Sequence, residues 1–140
     1  MIIVDTNVVS EPLKPRPEPA VIDWLDRQAP QTLYITTINL AELLAGIEAL
    51  PPGRRRVELH QAFVRQVMPL WEGRILPFDT PAAESFAKIN TQAQAAGTPI
   101  SFADAAIAAI ASANGFAVAT HYCPEKHSHF PRKVLIGMCF

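Results

Sequence analysis

The sequence predicts an α/β domain in which a parallel sheet is sandwiched between helices. Short apolar, β-branched runs recur at wide intervals, and longer segments with helical spacing fill the gaps between them. The runs are only three or four residues long and do not alternate with polar residues. That suits strands covered on both faces, as in parallel sheets.

Taken in order, Ile2-Ile3-Val4 reads as the first strand, closed by Asp5. Pro12, Pro15, Pro17 and Pro19 punctuate the connection that follows. Residues 20–28 present Val21, Trp24 and Leu25 at helical spacing, and Leu33 to Thr36 forms the second strand. A helix is expected over 38–50, carrying Leu40, Leu43, Leu44 and Ile47 and stopping at Pro51-Pro52-Gly53. Another is expected over 57–70, with Phe63, Val64 and Val67 on its apolar side and Pro69 closing it early. Ile75 to Phe78 is the third strand, with Pro77 placing it near a strand end. Helices over 81–96 and 102–114 end at Gly97 and Gly115. Phe116 to Ala119 and Val134 to Ile136 complete a set of five strands. No internal repeat or boundary divides residues 1–140, so one domain is expected.

Composition narrows the functional classes. The 140 residues are 49% hydrophobic and 18% charged, which fits a packed domain and excludes a disordered chain. A formal net charge of −1 gives no electrostatic case for wrapping duplex DNA. Arg54-Arg55-Arg56 reads as a solvated helix start, and Arg132-Lys133 is the other basic pair. The opening residues lack a basic region and a long apolar core, and no apolar stretch reaches the ~18 residues of a membrane span. The cytosol is therefore the expected compartment, with Cys123 and Cys139 reduced.

Three acids stand where chemistry is plausible. Asp5 ends the first strand, and in such sheets ligands bind outside the carboxyl ends of the strands. An ordinary turn-closing Asp explains it about equally well. Glu42 shares a helix face with Asn39, Ala45 and Gly46; alone, a helical Glu is more often a surface residue. Asp104 follows Ser101 at capping-box spacing, so a helix cap is the plain explanation. Yet the helix it opens is almost without charge from Ala105 to Ala113, so that helix is expected to be buried. If all three carboxylates met in one cleft about 5 Å apart, each pair would repel by roughly 3 kcal/mol at an effective dielectric near 20. The sum, about 10 kcal/mol, rivals the ~5–15 kcal/mol stability of a whole domain. Such a cluster is protonated or holds a cation, and an all-oxygen set suits Mg²⁺ or Mn²⁺ rather than zinc.

Four segments, in order and at consistent spacing, resemble one family. They are Ile3-Val4-Asp5-Thr6-Asn7-Val8-Val9-Ser10-Glu11, Ile35 to Gly46, Gly73 to Asp79, and Ile100 to Ala111. Together they are similar to VapC/FitB-type PIN-domain toxins, over the stretch from Met1 to about Thr120. The resemblance implies a PIN-like three-layer sandwich with a five-stranded parallel sheet and Mg²⁺-dependent (or Mn²⁺-dependent) cleavage of RNA. It implies a co-encoded antitoxin protein as partner and a homodimer, with DNA reached only through the antitoxin and no membrane contact. Asp5, Glu42 and Asp104 fall on the family's metal-site acids. Thr6 and Asn7 match the first motif, and Ser101 and Thr120 are expected to supply supporting hydroxyls.

After Thr120 the sequence departs from the family. An Arg, an Asn or Asp, and a further acid usually follow; here the chain reads His121-Tyr122-Cys123-Pro124-Glu125. Glu125 is the one nearby candidate for a fourth acid, which makes residues 121–140 atypical. That stretch also holds His121, Cys123, His127, His129 and Cys139, but without a Cys-x-x-Cys pair they are a poor zinc signature. A catalytically weakened module that binds an antitoxin is the competing reading. A phosphatase with Asp5 as nucleophile is disfavoured, because its motif wants an acid where Asn7 stands.

Overall fold

The computed structural model describes residues 1–120 and the strand residues 135–137. Five strands, β1 (Ile2–Val4), β2 (Leu33–Thr36), β3 (Ile75–Leu76), β4 (Ala117–Thr120) and β5 (Leu135–Gly137), form one sheet in the order β3-β2-β1-β4-β5. Every pairing is parallel, with Ile3 facing Tyr34 on one side and Val118 on the other.

Burial along β1 shows why the sheet has helices on both faces. Ile3 and Val4 are both fully buried, although neighbouring strand residues point to opposite faces. Ile3 packs with Ile107, Ile110, Ala111 and Val118. Val4 packs with Val8, Val21, Leu33 and Ile35 on the other side. Two separate cores therefore flank one sheet, which is the expected three-layer arrangement.

The helices are α1 (Thr6–Ser10), α2 (Pro19–Arg27), α3 (Thr37–Glu48), α4 (Arg54–Ala62), α5 (Thr80–Ala95) and α6 (Phe102–Asn114). Helix α6 is buried from Ala105 through Ala111, as its lack of charge requires, and packs against α5. It stops at Gly115, whose φ of 68° is the left-handed conformation that glycine adopts without steric cost.

Helix α1 was not expected: with five residues it is too short to show an amphipathic period. Two local expectations need correction. The helix expected over 57–70 begins at Arg54, loosens into a π turn at Phe63–Val67 and ends in a 3₁₀ turn at Met68–Trp71. Pro69 has no N–H to give to the carbonyl of Arg65, so regular α-helix cannot run through it. The third strand ends at Leu76, because Pro77 also lacks a donor and the Phe78 N–H goes to Thr37 Oγ1 at 3.3 Å.

The Arg74 side chain fastens the approach to β2 and β3. Its guanidinium donates to the carbonyls of Pro30, Leu33 (2.9 Å) and Leu70, and lies over the Trp71 ring at 5.3 Å.

Candidate functional site

From β1 the chain runs outward to β2 and β3, then returns to place β4 on the opposite side of β1. This reversal opens a crevice at the carboxyl ends of β1 and β4, where open α/β sheets bind ligands. Asp5 leaves β1 at that point. Its N–H donates to the Ala119 carbonyl at 2.8 Å, and its extended backbone makes it the N-cap of α1.

Asp5 is 8% exposed, and its carboxylate is held from several directions. Oδ1 accepts the Thr6 N–H at 2.7 Å, and Oδ2 accepts the Thr120 hydroxyl at 2.9 Å. Asn7 Nδ2 lies 3.5 Å from Oδ2, a long contact. Burial raises the Asp5 pKa above its ordinary value. Hydrogen bonds from Thr120 and Thr6 pull it back, while the charges of Asp104 and Glu42 push it up further. The last two effects put both distant acids within electrostatic reach of Asp5.

Glu42, exposed on α3, accepts the Thr6 hydroxyl at 2.5 Å through Oε2. Asp104, partly exposed in the first turn of α6, accepts the Ser101 hydroxyl at 2.7 Å through Oδ2. Its own N–H donates back to Ser101 Oγ at 3.1 Å, so Ser101 caps the helix and holds the carboxylate with one hydroxyl. Asn7, Ser101 and Thr120 thus each touch one of the three acids, and Thr6 touches two, Asp5 and Glu42.

The acids share a field without closing into the tight cluster considered from sequence. Among the described residues, no group of three or more His, Cys, Asp or Glu side chains is close enough to hold an ion together. Each carboxylate has its own hydroxyl donor, Thr120 for Asp5, Thr6 for Glu42 and Ser101 for Asp104. Glu125 and the tail residues His121, Cys123, His127, His129 and Cys139 lie outside the described residues.

Sequence reasoning missed Asn39 as a member of the site. It is fully buried and joins the Thr36 cap of α3 to Thr6, with Nδ2 donating to Thr6 Oγ1 at 2.8 Å. The signal was present in Thr36-x-x-Asn39, which has capping-box spacing.

The donor set fits a hard divalent cation. All the candidate ligands are carboxylate oxygens, and Mg²⁺ needs only one or two of them because it keeps several waters. A cation would also offset the two like charges that oppose ionisation of Asp5.

Comparison with known proteins agrees with this fold. Residues 2–122 match the family model described as PIN domain. The chain is 46% identical over 120 residues to VapC ribonuclease Y4jK of Sinorhizobium fredii, covering 86% of both proteins. It is 42% identical over 120 residues to Toxin FitB of Neisseria gonorrhoeae, again covering 86% of both. The solved structure of FitAcB from Neisseria gonorrhoeae superposes with a TM-score of 0.82 at 42% identity, covering 87% of this chain and 88% of that one. FitAB bound to an IR36 DNA fragment gives 0.83 at 40% identity, covering 93% and 89%. VapBC-5 from Mycobacterium tuberculosis, a member of the VapBC family of toxin-antitoxin systems, gives 0.60 at 26% identity, covering 86% and 84%.

Proposed function

The chain belongs to the VapC/FitB type of the PIN-domain family, and from that premise we propose that it is a toxin ribonuclease that hydrolyses RNA phosphodiester bonds with Mg²⁺ or Mn²⁺. One observation carries the reading: Asp5 is buried at the sheet's switch point while Asp104 and Glu42 both act on its charge. The ribonuclease name of the Sinorhizobium relative supports the reaction class, and the toxin name of the Neisseria relative supports the biological role.

Asp5, Asp104 and Glu42 are the residues that would hold the cation. Bound there, the metal would supply Lewis-acid polarisation of the phosphate and an activated water. The chain's own part is orientation. The Thr6 N–H and the Thr120 hydroxyl fix the Asp5 carboxylate, the Ser101 hydroxyl holds Asp104, and the Thr6 hydroxyl holds Glu42. Each acid therefore presents remaining lone pairs in a set direction, which lowers the cost of ordering the site when substrate arrives.

A co-encoded antitoxin protein is the expected partner, in line with the toxin-antitoxin system to which the Mycobacterium neighbour belongs. DNA would be reached through that antitoxin, in line with the DNA-bound FitAB neighbour. The active form would be a cytosolic homodimer. No helix among the described residues is long and apolar enough to cross a membrane. The test is cleavage of RNA by the purified protein with Mg²⁺, with and without chelator. Loss of cleavage on chelation and on Asp104→Ala is expected. Intact RNA in the presence of Mg²⁺, from a protein that still binds its antitoxin, would favour the weakened module instead.

A further inference from the structure

The hydrogen bonds around Asn39 have only one possible direction, and that direction reaches Glu42. The sequence starts at a backbone donor whose identity is not in question: the Thr36 N–H lies 2.8 Å from one terminal atom of the Asn39 side chain. Two donors cannot face each other, so that atom is Oδ1. It also accepts the Thr36 hydroxyl at 2.6 Å. The other terminal atom is then Nδ2, an obligate donor, and it points at Thr6 Oγ1 at 2.8 Å. With Thr6 Oγ1 accepting from Asn39, its single hydrogen is left for Glu42 Oε2, 2.5 Å away. Thr36 and Asn39 are both fully buried, so water does not compete for these groups.

Capping α3 would need only the Oδ1 side of Asn39. The Nδ2 side spans 33 residues of sequence to reach Thr6. Glu42, by contrast, is exposed and free to sample other rotamers unless something holds it.

We propose that Asn39 is a positioning residue that, through Thr6, aims the Glu42 carboxylate at the site; this rests on reading Glu42 as one of the metal acids. The relay sets which oxygen of Glu42 is engaged and leaves the other for the cation.

Asn39→Asp tests it at nearly constant volume. The substitution keeps the acceptor that faces Thr36 but replaces the donor facing Thr6 with a second acceptor, which competes with Glu42 for the Thr6 hydrogen. With Mn²⁺ alone titrated calorimetrically into the full chain, N39D is expected to bind on the order of 10-fold more weakly than wild type, the scale typical of outer partners of metal ligands. Because the new carboxylate also adds charge, the same substitution is made in a Thr6→Val background, where the relay is already cut. There it is expected to cause no further weakening, while Thr6→Ser alone keeps wild-type binding. Equal losses in both backgrounds, or unchanged binding by N39D, overturn the proposal.

A second readout needs no metal. The ¹³C carboxyl resonance of Glu42, identified by its absence in Glu42→Gln, is expected to move in N39D and in T6V but not in T6S. A resonance unmoved in N39D overturns the relay whether or not metal binds. A moved resonance in a chain that takes up no Mn²⁺ supports the relay and rejects the metal reading.

Discussion

Thr120 Oγ1 donates to Asp5 Oδ2 across 2.9 Å, tying the last residue of β4 to the residue that ends β1, 115 positions earlier in the chain. The bond spans the crevice between the two strands and is one of two hydrogen bonds that favour the ionised form of Asp5 against burial. Thr120→Val removes the donor while nearly keeping the shape. The Asp5 pKa is then expected to rise further, and Mg²⁺-dependent RNA cleavage to fall by roughly 10- to 100-fold, the usual cost of losing a group that orients a metal ligand. Steady-state cleavage measured against Mg²⁺ concentration checks this, with Thr120→Ser expected to stay near wild type. Full activity in the valine variant would remove Thr120 from the site.

Asp5 itself is expected to trade stability for function. Its pKa is raised above 3.8 in the folded chain, so folding favours the protonated form. That favourable contribution is present below the ordinary carboxylate value and lost as pH rises through the raised one. At neutral pH the ionised side chain therefore weighs against the fold. Asp5→Asn is expected to unfold at a higher temperature than wild type at pH 7, with the two midpoints converging as the pH falls below about 4. Cleavage should be lost. With Mg²⁺ at 100 times its dissociation constant the wild type gains about 2.7 kcal/mol and the variant far less, which narrows or reverses the order. Calorimetric scans at two pH values, with and without Mg²⁺, distinguish these cases. A variant less stable than wild type at pH 7 without metal would contradict the electrostatic account.

Away from the acids, Arg74 is expected to affect stability alone. Lysine at this position keeps the charge but cannot reach the carbonyls of Pro30, Leu33 and Leu70 together, as the planar guanidinium does. The Leu33 carbonyl belongs to a buried residue and would lose its side-chain donor. Arg74→Lys is expected to cost about 1–3 kcal/mol, read from urea unfolding. Cleavage per folded molecule should be unchanged at temperatures well below the midpoint. A loss below 0.5 kcal/mol, on the order of an ordinary surface substitution, would show the clamp to be dispensable.

The layout of the sheet was legible in the sequence because each strand is a short apolar run and each long helix has a period or a terminating glycine. Residues Ala105 to Ala111 could be assigned to a buried helix from their lack of charge alone. What escaped was set by geometry without a period. Helix α1 is too short to show one, and the π turn at Phe63–Val67, closed by the Met68 N–H on the Phe63 carbonyl, has no period of its own to read. At the site, the place of Asp5 at a strand end was legible, though it suited a turn-closing residue as well as a ligand. Its link to Glu42 was not, because it runs through Thr6, and both the Thr6–Glu42 bond and the Asn39–Thr6 bond beside it are products of tertiary packing. The Thr36-x-x-Asn39 spacing announced a cap, but nothing local says that the other end of Asn39 reaches another helix.

Ser101 separates capping from orientation of Asp104 more cleanly than any other position. Its hydroxyl accepts the Asp104 N–H, the capping bond, and donates to Asp104 Oδ2, the bond that fixes the carboxylate. Alanine removes both and is expected to cost about 1 kcal/mol of stability, whereas glycine at an N-cap costs only a few tenths. Neither variant can hold the Asp104 carboxylate. If that bond matters for turnover, Ser101→Gly will cleave RNA about 10-fold or more slowly than wild type while unfolding at nearly the same temperature. Ser101→Ala should then show the same slow turnover with a lower midpoint. Threonine, which keeps the hydroxyl, should recover both properties. Were glycine to match wild-type turnover, Ser101 would be a helix cap and nothing more.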